Sequence, residues 1–313
     1  MPDTILITGA AGYIGSKLCE RLQDSYNIVG IDIREPSREV GKFIRCDIRD
    51  PILKHIVREY EIDRVVHLAS VLESSKDEQR DYDIDVNGTR NVVEACLESK
   101  VKQLIVTSSG AAYGYHPDSP AWLDEQDPLR GNDEIPYARH KRLVEQYLAD
   151  IRRDHPELKQ LVLRPGTVLG ANTRNQITNL FEKRMVLGIA GSNSPFVFIW
   201  DEDLLGVIEK GIKEQQQGIF NLAGDGCLTI AEVAQRLGKP LCKIPAALIR
   251  GALTVAHALG LSRYSPVQVK FIRYRPVLSN RRLKEEFGYS LKMTSSQVFD
   301  YFLEHARARG QIK

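Results

Sequence analysis

Eight residues near the amino terminus, Thr8-Gly9-Ala10-Ala11-Gly12-Tyr13-Ile14-Gly15, constrain this chain more than any others. They separate an apolar β-rich run at 4–8 from a helical pattern at 13–23. Glycine at these three places allows a tight turn, close approach of backbone to a pyrophosphate, and close packing of helix on strand. The helix N-terminus then faces the phosphates. An isolated glycine triplet could serve as a plain turn, but its place between strand and helix points to a dinucleotide.

The same rhythm continues through the first half. Candidate strands are 4–8, 27–31, 42–46, 64–68, 103–107 and 161–164, with candidate helices at 13–23, 52–59, 82–99 and 137–153. Runs such as Ile28-Val29-Gly30-Ile31 are apolar on both faces, as expected where helices cover both sides of a parallel sheet. Regular alternation predicts an α/β fold, a Rossmann-type doubly wound sheet. The expected division is a nucleotide-binding domain at 1–165, rejoined by 204–224. A smaller, mostly helical substrate lobe would take 166–203 and 225–313, with Thr229 capping one of its helices.

The 313 residues are enough to bury a large core without disulfide or metal staples. Lys plus Arg (43) nearly balances Asp plus Glu (41), and no basic tail or aromatic-basic stripe is present, so nucleic acid is not an expected partner. The N-terminus lacks the basic and long apolar regions of a secretion signal. The most apolar later stretch, 246–261, is interrupted by Arg250 and glycines and reads as a packed lobe helix rather than a membrane contact. Cys19, Cys46, Cys96, Cys227 and Cys242 form no metal-binding cluster and suit reduced thiols. These features predict a cytoplasmic protein without bound metal.

Asp32 ends the second strand about twenty residues beyond the glycines, where an acidic side chain can take both ribose hydroxyls. It would repel a 2′-phosphate, which favours NAD. Arg34, two residues on, could accommodate that phosphate, so NADP stays the second choice. The GxxGxxG spacing resembles the short-chain dehydrogenase/reductase superfamily, and the chain to about Asp225 resembles its extended branch, the NAD-dependent epimerase/dehydratase family, in UDP-glucose 4-epimerase form. The resemblance assigns Gly9, Gly12, Tyr13, Ile14 and Gly15 to the pyrophosphate, and Asp47 and Ile48 to the adenine. It assigns Leu68, Ala69 and Ser70 to the cofactor channel, together with Thr107, Ser108, Pro165 and Thr167. Asn87-Gly88-Thr89 resembles the family's Asn-x-x-Gly-Thr region without the two residues before the glycine, so Asn87 joins this set. His67 reads as a satisfied strand-end histidine.

Tyr137-Ala138-Arg139-His140-Lys141 places Tyr and Lys at i and i+4, on one face of a helix. A phenol is a poor base at neutral pH, but an ammonium one turn away, with a positive nicotinamide ring nearby, favours phenolate. Before them, Thr107-Ser108-Ser109-Gly110-Ala111-Ala112-Tyr113-Gly114 resembles the Ser/Thr-rich strand end of nucleotide-sugar epimerases and dehydratases. Ser109 would bond the reacting oxygen, with Ser108 the fallback. Tyr137, Lys141 and Ser109 would form the acid/base set.

Relatives that eliminate water or decarboxylate carry an extra acid/base group just after the Ser/Thr. Here Gly110 and Ala111 stand there and cannot transfer a proton. A 4-epimerase or a plain dehydrogenase needs only hydride and one proton. Two departures complicate the sugar reading. Thr167 replaces the epimerases' Asn, and Phe196 stands where counting back from Asp203 calls for their diphosphate-clamping Arg. Arg273 or Arg275 could supply a second family arginine. Thr167, Gly110, Phe196, Arg273 and Arg275 are therefore candidate substrate contacts. A nucleotide-sugar 4-epimerase leads; the alternatives are an apolar-alcohol ketoreductase of hydroxysteroid-dehydrogenase type and a non-catalytic NAD-binding protein. The resemblance further implies a homodimer.

Overall fold

A computed structural model describes residues 2–73, 75–259 and 266–312. Arg263 and residues 260–261 at the end of the apolar stretch lie outside the described residues. In chain order the elements begin β1 (Thr4–Thr8), α1 (Tyr13–Leu22), β2 (Asn27–Asp32), β3 (Lys42–Arg45), α2 (Ile52–Glu59) and β4 (Arg64–His67). Next come α3 (Glu78–Tyr82), a π-helical turn (Asp83–Asn87), α4 (Gly88–Glu98), β5 (Gln103–Thr107), α5 (Pro136–Asp154) and β6 (Lys159–Pro165). Then follow β7 (Thr167–Leu169), α6 (Gln176–Phe181), β8 (Val186–Ile189), β9 (Phe198–Trp200), α7 (Asp201–Lys213) and β10 (Gly218–Leu222). The chain closes with α8 (Ile230–Leu237), β11 (Leu241–Ile244), α9 (Ala246–Ala258), α10 (Gln268–Arg273), α11 (Arg281–Glu285) and α12 (Ser295–Ala308).

Seven strands form one parallel sheet in the order β10-β6-β5-β4-β1-β2-β3. Parallel strands deliver their carboxyl ends to one edge, and the order reverses between β1 and β4, the place where such sheets bind ligands. The core explains the apolar strands: Leu6, Val65, Leu104 and Val162 pack against Leu53, Ile56, Val92 and Val93 of α2 and α4. Doubly wound topology is as the sequence predicts.

Contacts divide the chain into two units. One holds Met1–Ser109, His140–Arg164 and Asp201–Phe220; the other holds Gly110–Arg139, Pro165–Trp200 and Asn221–Lys313. The second is thus no smaller than the first, and it claims residues 110–139, expected in the nucleotide domain. Tyr113 is one link: its hydroxyl shares its single proton between Asn221 Oδ1 at 2.9 Å, farther along the second unit, and the nearby Asp124 carbonyl at 3.0 Å. This unit is not purely helical either, since β7 pairs with β9 and β8 with β11. Its core stacks Phe181, Phe196, Phe198, Phe299 and Phe302. Capping boxes start three of its helices, Asn175 with Thr178, Thr229 with Glu232 and Thr294 with Gln297.

The expected helix at 82–99 is interrupted by the π-helical turn. Such a turn inserts one residue into the helical repeat and re-aims the side chains around it. Here it carries Asp85 into the interior, 4% exposed.

Candidate active site

In the first unit the glycine loop fits a pyrophosphate cradle. Gly9 has φ +74°, a conformation that favours glycine, and a Cβ there would lie 2.9 Å from the Ala69 nitrogen. A Cβ at Gly15 would meet the Gly9 carbonyl oxygen at 2.1 Å. Gly12 caps α1 without a side-chain bond, and no acidic residue stands in the first turn. The positive end of the helix is therefore not offset by an N-cap side chain or by a carboxylate in the first turn. The Tyr13 hydroxyl is committed elsewhere, donating to Asp201 at 2.5 Å.

Asp32, at the end of β2, is 8% exposed and ties that strand end to this loop. Its carboxylate accepts the Ala11 amide at 3.1 Å and the Arg34 amide at 3.0 Å. Arg34 itself is largely exposed, with its Nε 3.6 Å from the same carboxylate. Asp47 is gripped by Arg49, which bridges onward to Asp83 at 3.0 Å. Burial pushes the Asp47 carboxyl up less than the Arg49 hydrogen bonds pull it down, and it stands below the usual range. Ile48 packs inward against Gly88.

At the end of β4 the Thr8 hydroxyl oxygen accepts the amides of Leu68 and Ala69, each at 3.2 Å. His67 lies between Thr8 Oγ1 at 2.7 Å and Thr89 Oγ1 at 2.9 Å. Thr89 donates its own proton to the Asp85 carbonyl, so its oxygen accepts from His67 Nε2, and Nδ1 accepts from Thr8. Fully buried, His67 is pushed down to about 3, chiefly by burial and then by the charge of Lys141.

Asn87 turns away, donating to Asp83 at 2.9 Å. Asp85, three residues before Gly88, faces the interior in its place. Its carboxylate accepts from Ser70 Oγ at 2.9 Å, the Val71 amide at 2.8 Å and His140 Nδ1 at 3.0 Å. Burial raises the Asp85 carboxyl, but His140, Lys141 and the Ser70–Val71 bonds together hold it below the ordinary range. Sequence reasoning missed both Asp85 and His140. Counting the three-residue spacing back from Gly88 was the one available signal.

At the end of β5, Thr107 offers its carbonyl to Lys141 Nζ at 3.3 Å, and Lys141 is 7% exposed. Ser108 is committed to Glu145, donating at 2.5 Å, and Glu145 holds Arg164 by a buried fork of 2.7–3.0 Å. Ser109, the next residue, is half-buried.

In the second unit, Tyr137 packs with Ala111, Tyr115, Phe271 and Tyr274. The helix α5 carries it four residues ahead of Lys141. Gly110 and Ala111 lie buried in a 3-10 turn, Gly110 against Leu278. Pro165 and Thr167 are half-buried, the Thr167 amide bonding the Val197 carbonyl at 3.1 Å. Phe196 is 3% exposed and stacked on Phe198 at 5.7 Å, a core position rather than an open aromatic wall. Its other neighbour is Arg275, whose guanidinium lies 4.1 Å from the Phe196 ring and 4.6 Å from Phe271. Arg275 has no ion-pair partner among the described residues, and burial pushes it down to about 10. Arg273 stacks on Tyr274 instead. All five cysteines are unpaired, and no cluster of metal-binding side chains occurs among the described residues.

A family profile described as NAD dependent epimerase/dehydratase matches residues 5–198. UDP-glucose 4-epimerase 2 of Oryza sativa subsp. japonica is 33% identical over 189 residues, covering 54% of this chain and 45% of its own. The Thermus thermophilus UDP-glucose 4-epimerase in complex with NAD aligns at TM-score 0.76 and 23% identity, over 97% of this chain and 99% of that one. The dTDP-glucose 4,6-dehydratase of Bacillus anthracis in complex with NAD aligns at 0.75 and 17% identity, over 99% and 98%. These structures share the fold.

Proposed function

The chain belongs to the NAD-dependent epimerase/dehydratase family, and from that premise we propose that it is a nucleotide-sugar 4-epimerase. Tyr137 acts as the base that takes the proton of the C4 hydroxyl and later returns it. Lys141, buried beside Thr107, favours the phenolate and orients the ribose. Ser109 bonds the reacting oxygen. When bound, NAD supplies reversible hydride acceptance, the chemistry that side chains lack. Asp32 and the α1 N-terminus hold its ribose and pyrophosphate.

The observation that carries the sugar reading is Arg275. A planar guanidinium held against two phenyl rings without a carboxylate is suited to bond two oxygens of a diphosphate at once. Gly110 and Ala111 favour epimerisation over elimination, because neither can move a proton. Phe196 is buried in the aromatic core and offers no open apolar wall to an apolar alcohol.

Incubation with UDP-glucose or UDP-galactose tests the reading. Each should be converted into the other with no net NADH absorbance, and Tyr137→Phe should lower kcat by roughly a hundred- to ten-thousandfold. Failure to convert any UDP- or dTDP-hexose, with NADH accumulating from another alcohol, would overturn it.

A further inference from the structure

Helix α9 is mostly apolar, and one apolar face of it is uncovered. Ala247, Leu248, Ala252, Val255 and Ala258 are exposed on one face, followed by Leu259 just past the helix. Leu248, Val255 and Leu259 are 65%, 60% and 66% exposed. Ile249, Leu253 and Ala256 are half-buried on the opposite face. An apolar stripe of this kind is covered by something in the working protein.

The charge around it identifies the cover. Residues 233–284 contain eleven Lys and Arg and no Asp or Glu, in a chain whose net charge is only +2. Several of these cations are satisfied by carboxylates from other segments: Arg236 by Asp300, Lys270 by Glu134, Arg281 by Asp124 and Lys284 by Asp225. Lys243, just before α9, and Arg250, within it, are exposed and have no carboxylate partner among the described residues. Two exposed cations without a carboxylate partner among the described residues thus lie beside the apolar stripe.

We propose that α9 docks this protein on an anionic phospholipid surface, its aliphatic face among the acyl chains and Lys243 and Arg250 at the headgroups. Thirteen residues span about 20 Å, short of the roughly 30 Å hydrocarbon core, so the helix lies in the plane of the interface. No helix among the described residues is long and apolar enough to cross a membrane. A second copy of the chain fits less well, because a two-fold contact would set the same unpaired cations against each other. The stripe also lacks the aromatic and arginine anchors that dominate protein interfaces. The inference stands independently of the sugar reading.

Vesicle co-sedimentation of the full chain tests it. The protein should sediment with vesicles of equal phosphatidylcholine and phosphatidylglycerol, be released by high salt, and stay in solution with phosphatidylcholine alone. Arg250→Gln should weaken binding roughly fivefold. Leu248→Glu combined with Val255→Glu should weaken it by at least about tenfold. All variants should keep the wild-type Tm and NAD affinity, since these side chains are exposed. Failure to bind the mixed vesicles, or equal binding to both kinds, overturns the proposal. So does a dimer in solution that Leu248→Glu dissociates, which would assign the stripe to a second copy.

Discussion

Asp85 and His140 meet in the interior, Oδ2 of the carboxylate 3.0 Å from Nδ1 of the imidazole. The pair joins the π-helical turn before α4 to the helix that carries Tyr137 and Lys141. The same carboxylate holds Ser70 and Val71, just past the end of β4. His140 Nε2 is buried and has no hydrogen-bond partner among the described residues, so Asp85 supplies the one bond that fixes the ring. Asp85→Ala should destabilise the protein by about 3–5 kcal/mol in urea unfolding, the loss expected when one partner of a buried pair is removed. Asp85→Asn, which can still accept from Ser70 and Val71, should cost less. Because the folded carboxyl is held low, its contribution is present above about pH 4 and fades as pH falls further.

His67 makes a second prediction about acid. Its folded value lies near 3 against an ordinary 6.5, so below pH 6.5 the unfolded chain binds a proton that the folded chain refuses. Stability should be full above that value and decline steadily as pH falls toward 3. The hydrogen bonds give the reason: Thr8 Oγ1 already accepts two amides and has no capacity for a second imidazole proton. His67→Gln should be less stable at pH 8 and show a flatter decline, measured by denaturant melts across the range.

Gly15→Ala should abolish NAD binding in calorimetry. A methyl group 2.1 Å from the Gly9 carbonyl oxygen forces backbone apart where α1 meets the loop. The neighbouring Gly9 cannot absorb the shift, since its own approach to Ala69 is already close.

Asp32→Ser should narrow the preference for NAD over NADP. It removes the carboxylate that would repel a 2′-phosphate and frees the exposed Arg34 beside it. Binding constants for the two dinucleotides measure the change. An unaltered ratio would show that Asp32 does not set cofactor choice.

Much of this was legible in the sequence because covalent spacing alone dictates it. Tyr137 and Lys141 share a helix face at i and i+4, and the glycine loop needs only its flanking strand and helix. Runs apolar on both faces predicted the parallel sheet, and β2 extends just one residue beyond its expected end, to Asp32. Contacts between distant residues were not legible. Ser108 is bound by Glu145, 37 residues away, and Asp85 by His140, 55 away. The π-helical turn that aims Asp85 inward leaves no mark in composition. Phe196 was assigned by counting to a substrate contact, yet its backbone exchange with Leu228 sets its ring in the aromatic core. The 246–261 stretch is expected to pack, and of its described part the face with Leu248, Val255 and Leu259 is exposed.

The central claim is that hydride leaves and returns to the same sugar carbon while Tyr137 moves the proton. UDP-glucose carrying deuterium at C4 tests it most directly, with the product analysed by mass spectrometry and NMR. The account predicts UDP-galactose that keeps the label at C4, and none when Tyr137→Phe replaces the wild-type protein. Label lost to solvent, or released on free NADH, would contradict it.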